Sequence, residues 1–218
     1  MNPKYPCVLF ALGLLWLTHP VEAAPSPKQT IQQSAEEVRT ILRKKIQKGS
    51  AEEKKQKDAL KKAVDRFLDY PTLAQRSLGP HWDTLNPKQR EEFGQLLRDL
   101  IEGSYTSAIQ SNIDFTLTYD AEEIKPDGSG ASISAVACAK SGKGKTVSED
   151  LTFYLHLKDR KWMVYDLEFG DVSLVRHYRG EFNRKIKKDG YPALLAAMKK
   201  KLDEIRSGKI KVEKKPTL

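Results

Sequence analysis

The hydrophobic period changes twice along this chain, and nothing else in the sequence constrains the fold as much. Up to Ser111 apolar residues recur at helical spacing; from Ile113 to Leu167 they alternate with period two; after Ser173 the helical spacing returns. A chain that is helical at both ends and alternating between them folds as α+β. Its strands follow one another through short turns, so neighbours pair antiparallel and the helices cover the sheet. The expected architecture is α+β: helices packed on one face of a curved antiparallel sheet of about four strands, around an apolar space that is either a filled core or a ligand pocket.

The boundaries are written in turn and cap residues. Ile31, Ala35, Val38, Leu42 and Ile46 predict a first helix ending near Gly49. Ser50 and Glu53 form a capping box for a second, whose apolar face runs through Leu60, Val64, Phe67 and Leu68. A short helix from Pro71 to Leu78 is closed by Gly79 and Pro80. Asn86, Pro87 and Gln89 then mark a strong helix start. The long helix that follows carries Phe93, Leu96, Leu97, Leu100, Ile101, Tyr105 and Ile109 on one stripe and ends near Ser111. That stripe holds no ionisable group suited to chemistry, so the helix walls an apolar space.

In the alternating region Ile113, Phe115, Leu117 and Tyr119 begin the first strand. Ala131, Ile133, Ala135 and Ala137 form the inward row of the second, and their small side chains leave room for a helix or a ligand. Ser141 to Thr146 is a hairpin loop. Its Gly144-Lys145-Thr146 lacks the earlier glycine of a phosphate loop, since Ala139 stands there. Leu151, Phe153, Leu155 and Leu157 mark the third strand; Trp162 and Val164 lie on one face of the fourth, with Met163, Tyr165 and Leu167 on the other. Ser173 caps a helix carrying Leu174, Val175, Tyr178, Phe182 and Ile186, and Pro192 starts the last.

The apolar run Val8–Leu17 is too short to span a membrane and is followed by Val21-Glu22-Ala23, a small-residue cleavage pattern. Residues 1–23 are therefore expected to be a signal peptide, 24–208 a single domain and 209–218 a basic mobile tail. Export leaves Cys138 as the one cysteine, so the domain stands on its core without an internal disulfide. The net charge of +9 suits anionic membrane or acidic partner surfaces, but Lys and Arg are spread too evenly to choose a surface. Export, and the lack of a basic stripe interleaved with aromatics, argue against nucleic acid.

No catalytic constellation stands out. His81, His156 and His177 are scattered without ligand spacing, His19 lies in the signal, and there is no nucleophile elbow. Asp166 and Glu168 share a strand face and read as an exposed acidic pair. No enzyme, metal or cofactor is expected. The apolar interior is the stronger candidate: a diacyl lipid buries many methylenes at about 0.8 kcal/mol each, so a lipid-sized cavity binds without polar recognition.

Three segments carry a resemblance to a known family. They are Phe67-Leu68-Asp69-Tyr70 with Leu78-Gly79-Pro80-His81-Trp82 and Leu85–Phe93; Trp162–Leu167; and Asp171-Val172-Ser173-Leu174-Val175 with Tyr178-Arg179 and Phe182. With the element order, the chain resembles the MlaC family of periplasmic phospholipid-binding proteins, also called the toluene-tolerance auxiliary family. Asp171 stands where Gly is usual and His177 where Asn is common. The resemblance implies a deep cavity for acyl chains with the headgroup outside, and no catalytic residues. It also implies a periplasmic shuttle between an inner-membrane ABC transporter with an MCE-domain subunit and an outer-membrane lipoprotein complex. Hopanoids or other lipids are alternative cargo.

The lining expected from apolar faces flanking the sheet is Phe93, Leu97, Ile101, Tyr105, Leu117, Phe153, Leu155, Trp162, Val164 and Tyr178. Arg176 and Arg179 would meet a phosphate headgroup only if they lay at the mouth; a solvated helix face is the plainer reading. Two other functions compete: an exported protein-binding adaptor with a filled core, and a hydrolase, which needs Ser, His and a carboxylate converging at a pocket mouth.

Overall fold

The computed structural model describes residues 25–44, 46–47, 49–111, 115–140 and 146–209, the side chains at 105–111, 139–140 and 147 excepted. The segment read as a signal peptide, Ile113, the turn at 141–145 and the tail from residue 210 lie outside the described residues, as do the side chains of Tyr105 and Ile109. The elements run α1 (Pro27–Leu42), α2 (Ala51–Asp65), α3 (Tyr70–Leu78), a 3-10 turn (Gly79–Thr84), α4 (Pro87–Ser111), β1 (Thr116–Ile124), β2 (Gly130–Lys140), β3 (Thr146–Lys158), β4 (Lys161–Phe169), β5 (Val172–Ser173), α5 (Leu174–Asp189) and α6 (Tyr191–Arg206).

Side chains fix the helix starts. Asn86 Oδ1 accepts from Gln89 N and Gln89 Oε1 from Asn86 N, both at 2.9 Å, the full capping box expected for α4. Ser26 and Gln29 make the same box on α1. At α2, Ser50 Oγ accepts from Glu53 N at 3.2 Å, but the Glu53 carboxylate takes the N–H of Gly49 rather than that of the cap residue. Helix α1 stops at Leu42, short of the expected Gly49. Gly79 closes α3 at φ +58°, a conformation that only glycine adopts without strain.

The sheet is curved and open, ordered β1-β2-β3-β4-β5 with every neighbour antiparallel. The fifth strand, two residues long, adds to the four expected. A bulge interrupts the β3–β4 ladder and bends it. Leu155 pairs with Val164, but Tyr154 pairs with Asp166 and Phe153 with Leu167. Directly opposed residues share a face. Leu167 therefore joins Trp162 and Val164, contrary to simple alternation, because Tyr165 is the extra residue.

Buried apolar residues form three clusters. The largest unites α3, α4, α5 and α6 around Phe93 and Phe182, whose rings meet edge-to-face at 5.4 Å. Gly103 allows α6 close to α4; a Cβ there would lie 3.0 Å from Ile205 Cγ2. The second sets Ile31 of α1 on Ala131, Ile133, Leu155 and Val164 of the sheet. The third joins α1 to α2 through Val38, Leu42, Leu60 and Ala63.

A short parallel bridge ties the first two together. Asp69 N donates to Val164 O, and Val164 N to Phe67 O, each at 2.7 Å. Leu68, between them, packs against both clusters. Helical spacing makes Phe67 and Leu68 the end of a helical face; they lie instead as an extra edge segment beside β4.

Candidate functional site

The alanine row of β2 finds two different neighbours. Toward Ala131 and Ile133, the inner face is filled by Ile31. Toward the other end, Ala135 pairs with Tyr119 and Ala137 with Leu117, so these four share one surface. There α1 stands off from β1, and a cleft of about 240 Å³ opens between Gln32, Ala35, Glu36 and Arg39 on the helix and Leu117 and Tyr119 on the strand. Helical spacing puts the α1 residues on one stripe.

Polar groups make up the larger part of the cleft's lining, beside Ala35, Leu117 and the Tyr119 ring. Arg39 bonds Glu36 Oε2 at 2.5 Å, and its guanidinium lies 5.5 Å from the Phe115 ring centroid. Burial pushes the Tyr119 hydroxyl above its ordinary pKa, with Arg39 pulling the other way. Pockets that enclose a drug-sized ligand run to about 300–1,000 Å³. At about 240 Å³ this cleft falls below that range.

The ten expected lining residues divide among these regions. Phe93, Leu97, Ile101 and Tyr178 are buried in the helical cluster. Leu155 and Val164 are buried in the sheet cluster, with Phe153 and Trp162 packed at its margin. Leu117 lines the cleft. The side chain of Tyr105 lies outside the described residues. The structure thus brings the sheet residues together and sets the helical four in a separate cluster. Gln32, Glu36 and Arg39 were not singled out by the sequence, and Tyr119 was read only as a strand residue; the signal was the apolar Ala35 flanked by polar residues at helical spacing.

The titratable groups mostly hold the frame. Asp166 is buried, not exposed as the sequence suggested. It accepts from Leu167 N at 2.8 Å, Ser173 Oγ at 2.6 Å and Val175 N at 3.0 Å, because the start of α5 folds back onto β4. Glu168 accepts from the Tyr154 hydroxyl at 3.0 Å and pairs with Arg176 at 3.2 Å. Arg179 Nε donates to Arg76 O at 2.8 Å. Both arginines thus serve contacts within the protein. His81 bonds the Asn183 side chain at 3.1 Å.

Asp69 is the hub of the bridge. Its carboxylate takes Thr72 N at 3.1 Å, Thr72 Oγ1 at 2.9 Å, His156 Nε2 at 2.9 Å and Lys158 Nζ at 3.0 Å. The His156 ring stands edge-on to Tyr165 at 5.5 Å, and Arg76 lies 4.0 Å from the Tyr165 ring centroid. Asp69 and His156 resemble two members of a hydrolytic triad, but the nearby hydroxyl of Thr72 donates to the carboxylate, not to the imidazole. Among the described residues no group of three or more His, Cys, Asp and Glu is placed to hold a metal ion.

The model of the family described as MlaC protein matches residues 32–200, which span α1 through most of α6. The chain belongs to the MlaC family. A phospholipid-binding protein from Ralstonia solanacearum, solved in complex with a phospholipid, is similar in structure at a TM-score of 0.70 and 16% identity, covering 84% of this chain and 99% of that one. An NTF-2-like protein of unknown function from Shewanella oneidensis gives a TM-score of 0.34 at 13% identity, over 67% of this chain and 100% of that one. No curated protein matches the chain. The two departures from the MlaC pattern are absorbed locally. Asp171 is exposed at the turn before β5, with its carbonyl accepting from Arg176 Nη2 at 3.4 Å. His177 Nε2 lies 3.7 Å from Glu181 one turn along α5.

Proposed function

We propose that this MlaC-family protein is a periplasmic lipid carrier that seats phospholipid acyl chains between α1 and the inner face of its sheet. The observation that carries the reading is the family match across residues 32–200, joined to a fold shared with a protein that holds a phospholipid. The cleft supports it locally, since it lies over Leu117 and Tyr119, which pair across the ladder with the small residues Ala137 and Ala135. Each acyl methylene that leaves water there contributes about 0.8 kcal/mol.

Loading is passive. Helix α1 is tied to β1 by the bond from Lys28 N to Glu122 at 2.9 Å and to α2 through their shared apolar cluster. Helices α1 and α2 swing together as chains enter. The Asp69 bridge keeps the helical cluster attached to the sheet while they do. No covalent step is required, so binding and transport are the activity and enzyme chemistry is not. Direction is set by the partners, an inner-membrane ABC transporter with an MCE-domain subunit on one side and an outer-membrane lipoprotein complex on the other. Export by a signal peptide at residues 1–23 puts the carrier between them.

The test is to purify the mature protein from periplasm without detergent and identify co-purifying lipid by denaturing mass spectrometry. Near-stoichiometric phospholipid is expected. A hopanoid would keep the carrier class and change the cargo. A folded, lipid-free protein that also takes no lipid from vesicles would refute the reading and leave the adaptor.

A further inference from the structure

The charge of this chain has a location. Lys and Arg are spread along the whole sequence, but Asp and Glu are not. Residues 1–173 contain 24 of each sign, so they are formally neutral. Between Leu174 and Lys209 there are 11 basic and 4 acidic residues, giving +7 of the total +9. That stretch is the α5–α6 hairpin.

The structure shows which of these cations are committed. Arg176 pairs with Glu168, Arg184 with Glu181, Lys185 with Asp189, Lys199 with Glu92 and Arg206 with Asp99. Lys187, Lys188, Lys200 and Lys201 make no ion pair among the described residues. Three of those four are exposed and Lys201 is half-buried. The same hairpin also carries Ala196, which is exposed, and Gly180, where an added Cβ would meet nothing within 4 Å.

We propose that the α5–α6 hairpin is an electrostatic docking face for an anionic lipid bilayer. The chemistry of the face favours a bilayer over a protein partner. Stable protein interfaces are built on buried aromatic and Arg anchors and are depleted in Lys. This hairpin offers uncommitted Lys along with Ala and Gly, and among the described residues the large apolar ones that are exposed, Ile124 and Leu157, lie on the sheet. Flexible point charges with no apolar anchor suit a diffuse layer of phosphate headgroups, where each Lys near the surface strengthens adsorption about fivefold. Residues 24–173, which include the α1–β1 cleft, are formally neutral and contribute no comparable attraction. The face therefore orients the protein on the membrane. It does so whether or not the cleft takes lipid, so it stands independently of the carrier reading.

The experiment is vesicle flotation of the mature protein with equal parts phosphatidylcholine and phosphatidylglycerol, against pure phosphatidylcholine, at low and at physiological salt. Wild type is expected to float with the anionic vesicles only, and less so as salt rises. A variant with Lys187, Lys188, Lys200 and Lys201 all changed to Gln should lose at least about tenfold in partition coefficient. A control with Lys54, Lys55, Lys62 and Lys88 changed to Gln removes the same formal charge from exposed positions elsewhere and should float like wild type. Equal losses in the two variants would overturn the proposal in favour of net charge alone. Failure of wild type to float with anionic vesicles would overturn it too, and would return the face to an acidic protein partner. Circular dichroism of both variants checks that folding is intact.

Discussion

Replacing Asp69 tests whether the bridge between the helical and sheet clusters is held by a charge. Asp69→Ala removes the cap of α3, worth about 1 kcal/mol. It also strips a carboxylate from Lys158 and His156, both of which are hydrogen-bonded to it. A buried charge-assisted bond contributes about 1.5–3 kcal/mol, but the Lys158 and His156 side chains are 47% and 24% exposed. Screening brings each down to about 0.5–1 kcal/mol. The expected loss is about 2–3 kcal/mol at neutral pH. Asp69→Asn keeps a capping oxygen and should lose about 1 kcal/mol.

The pH dependence gives a second, sharper readout. Burial pushes the Asp69 carboxyl up, but the bonds from Thr72 and Lys158 outweigh it and hold the pKa below the ordinary value. A carboxyl whose folded pKa lies below its unfolded value of about 3.9 adds stability that is complete above that value. The contribution is lost as pH falls through the folded pKa. A His156→Gln background removes imidazole titration. In that background, the stability gap between the protein that keeps Asp69 and the one carrying Asp69→Asn should stay constant from neutral pH to about pH 5. It should close on acidification below about pH 4. Urea unfolding at a series of pH values measures it. A gap that persists unchanged into acid, or an Asp69→Ala cost under about 0.5 kcal/mol, would refute the charged-bridge argument.

Phe93→Ala should cost about 3–5 kcal/mol in urea unfolding, because the ring is fully buried against Phe182 and the helices cannot collapse around the gap. Gly79→Ala should cost about 1–3 kcal/mol through the backbone alone, since an added Cβ meets Arg179 only at 3.5 Å, an ordinary contact, while φ is +58°. Ala35→Trp should fill the cleft and slow lipid uptake from vesicles several-fold with little change in Tm; unimpaired uptake would place the entry elsewhere.

What the sequence made legible was local. The Asn86–Gln89 box, the Ser173 cap and the closing Gly79 are each set by one or two residues whose geometry is dictated by the chain beside them. The strands were readable from alternation until a bulge intervened, and Tyr165 carries no mark that distinguishes a bulged residue from a paired one. Asp166 looked like half of an exposed pair because two of its three partners, the Ser173 hydroxyl and the Val175 N–H, belong to the start of a helix that begins after a turn. The Phe67–Asp69 bridge was hidden for the same reason: it pairs with a strand about a hundred residues later. The division of the ten lining residues was equally non-local, because periodicity says that a face is buried but not against what.

The uneven burial bears on the proposed carrier role. The helical cluster gathers 17 buried residues and the sheet cluster 5, of which Ile31 is the one from α1. Lifting α1 off the sheet therefore exposes Ile31 together with the Ile133 and Leu155 side chains it packs on, at about 1.5–3 kcal/mol for each one fully uncovered. Acyl methylenes entering beneath it offset that at about 0.8 kcal/mol each. Ile31→Ala should accordingly destabilise the lipid-free protein by about 2–4 kcal/mol, the cost of a core cavity, and the lipid-loaded protein by clearly less, since the chain fills the gap. Thermal unfolding of delipidated and reloaded protein measures both. Equal losses in the two forms would mean that lipid does not displace the Ile31 contact, and that the space it uses lies away from the α1–sheet layer.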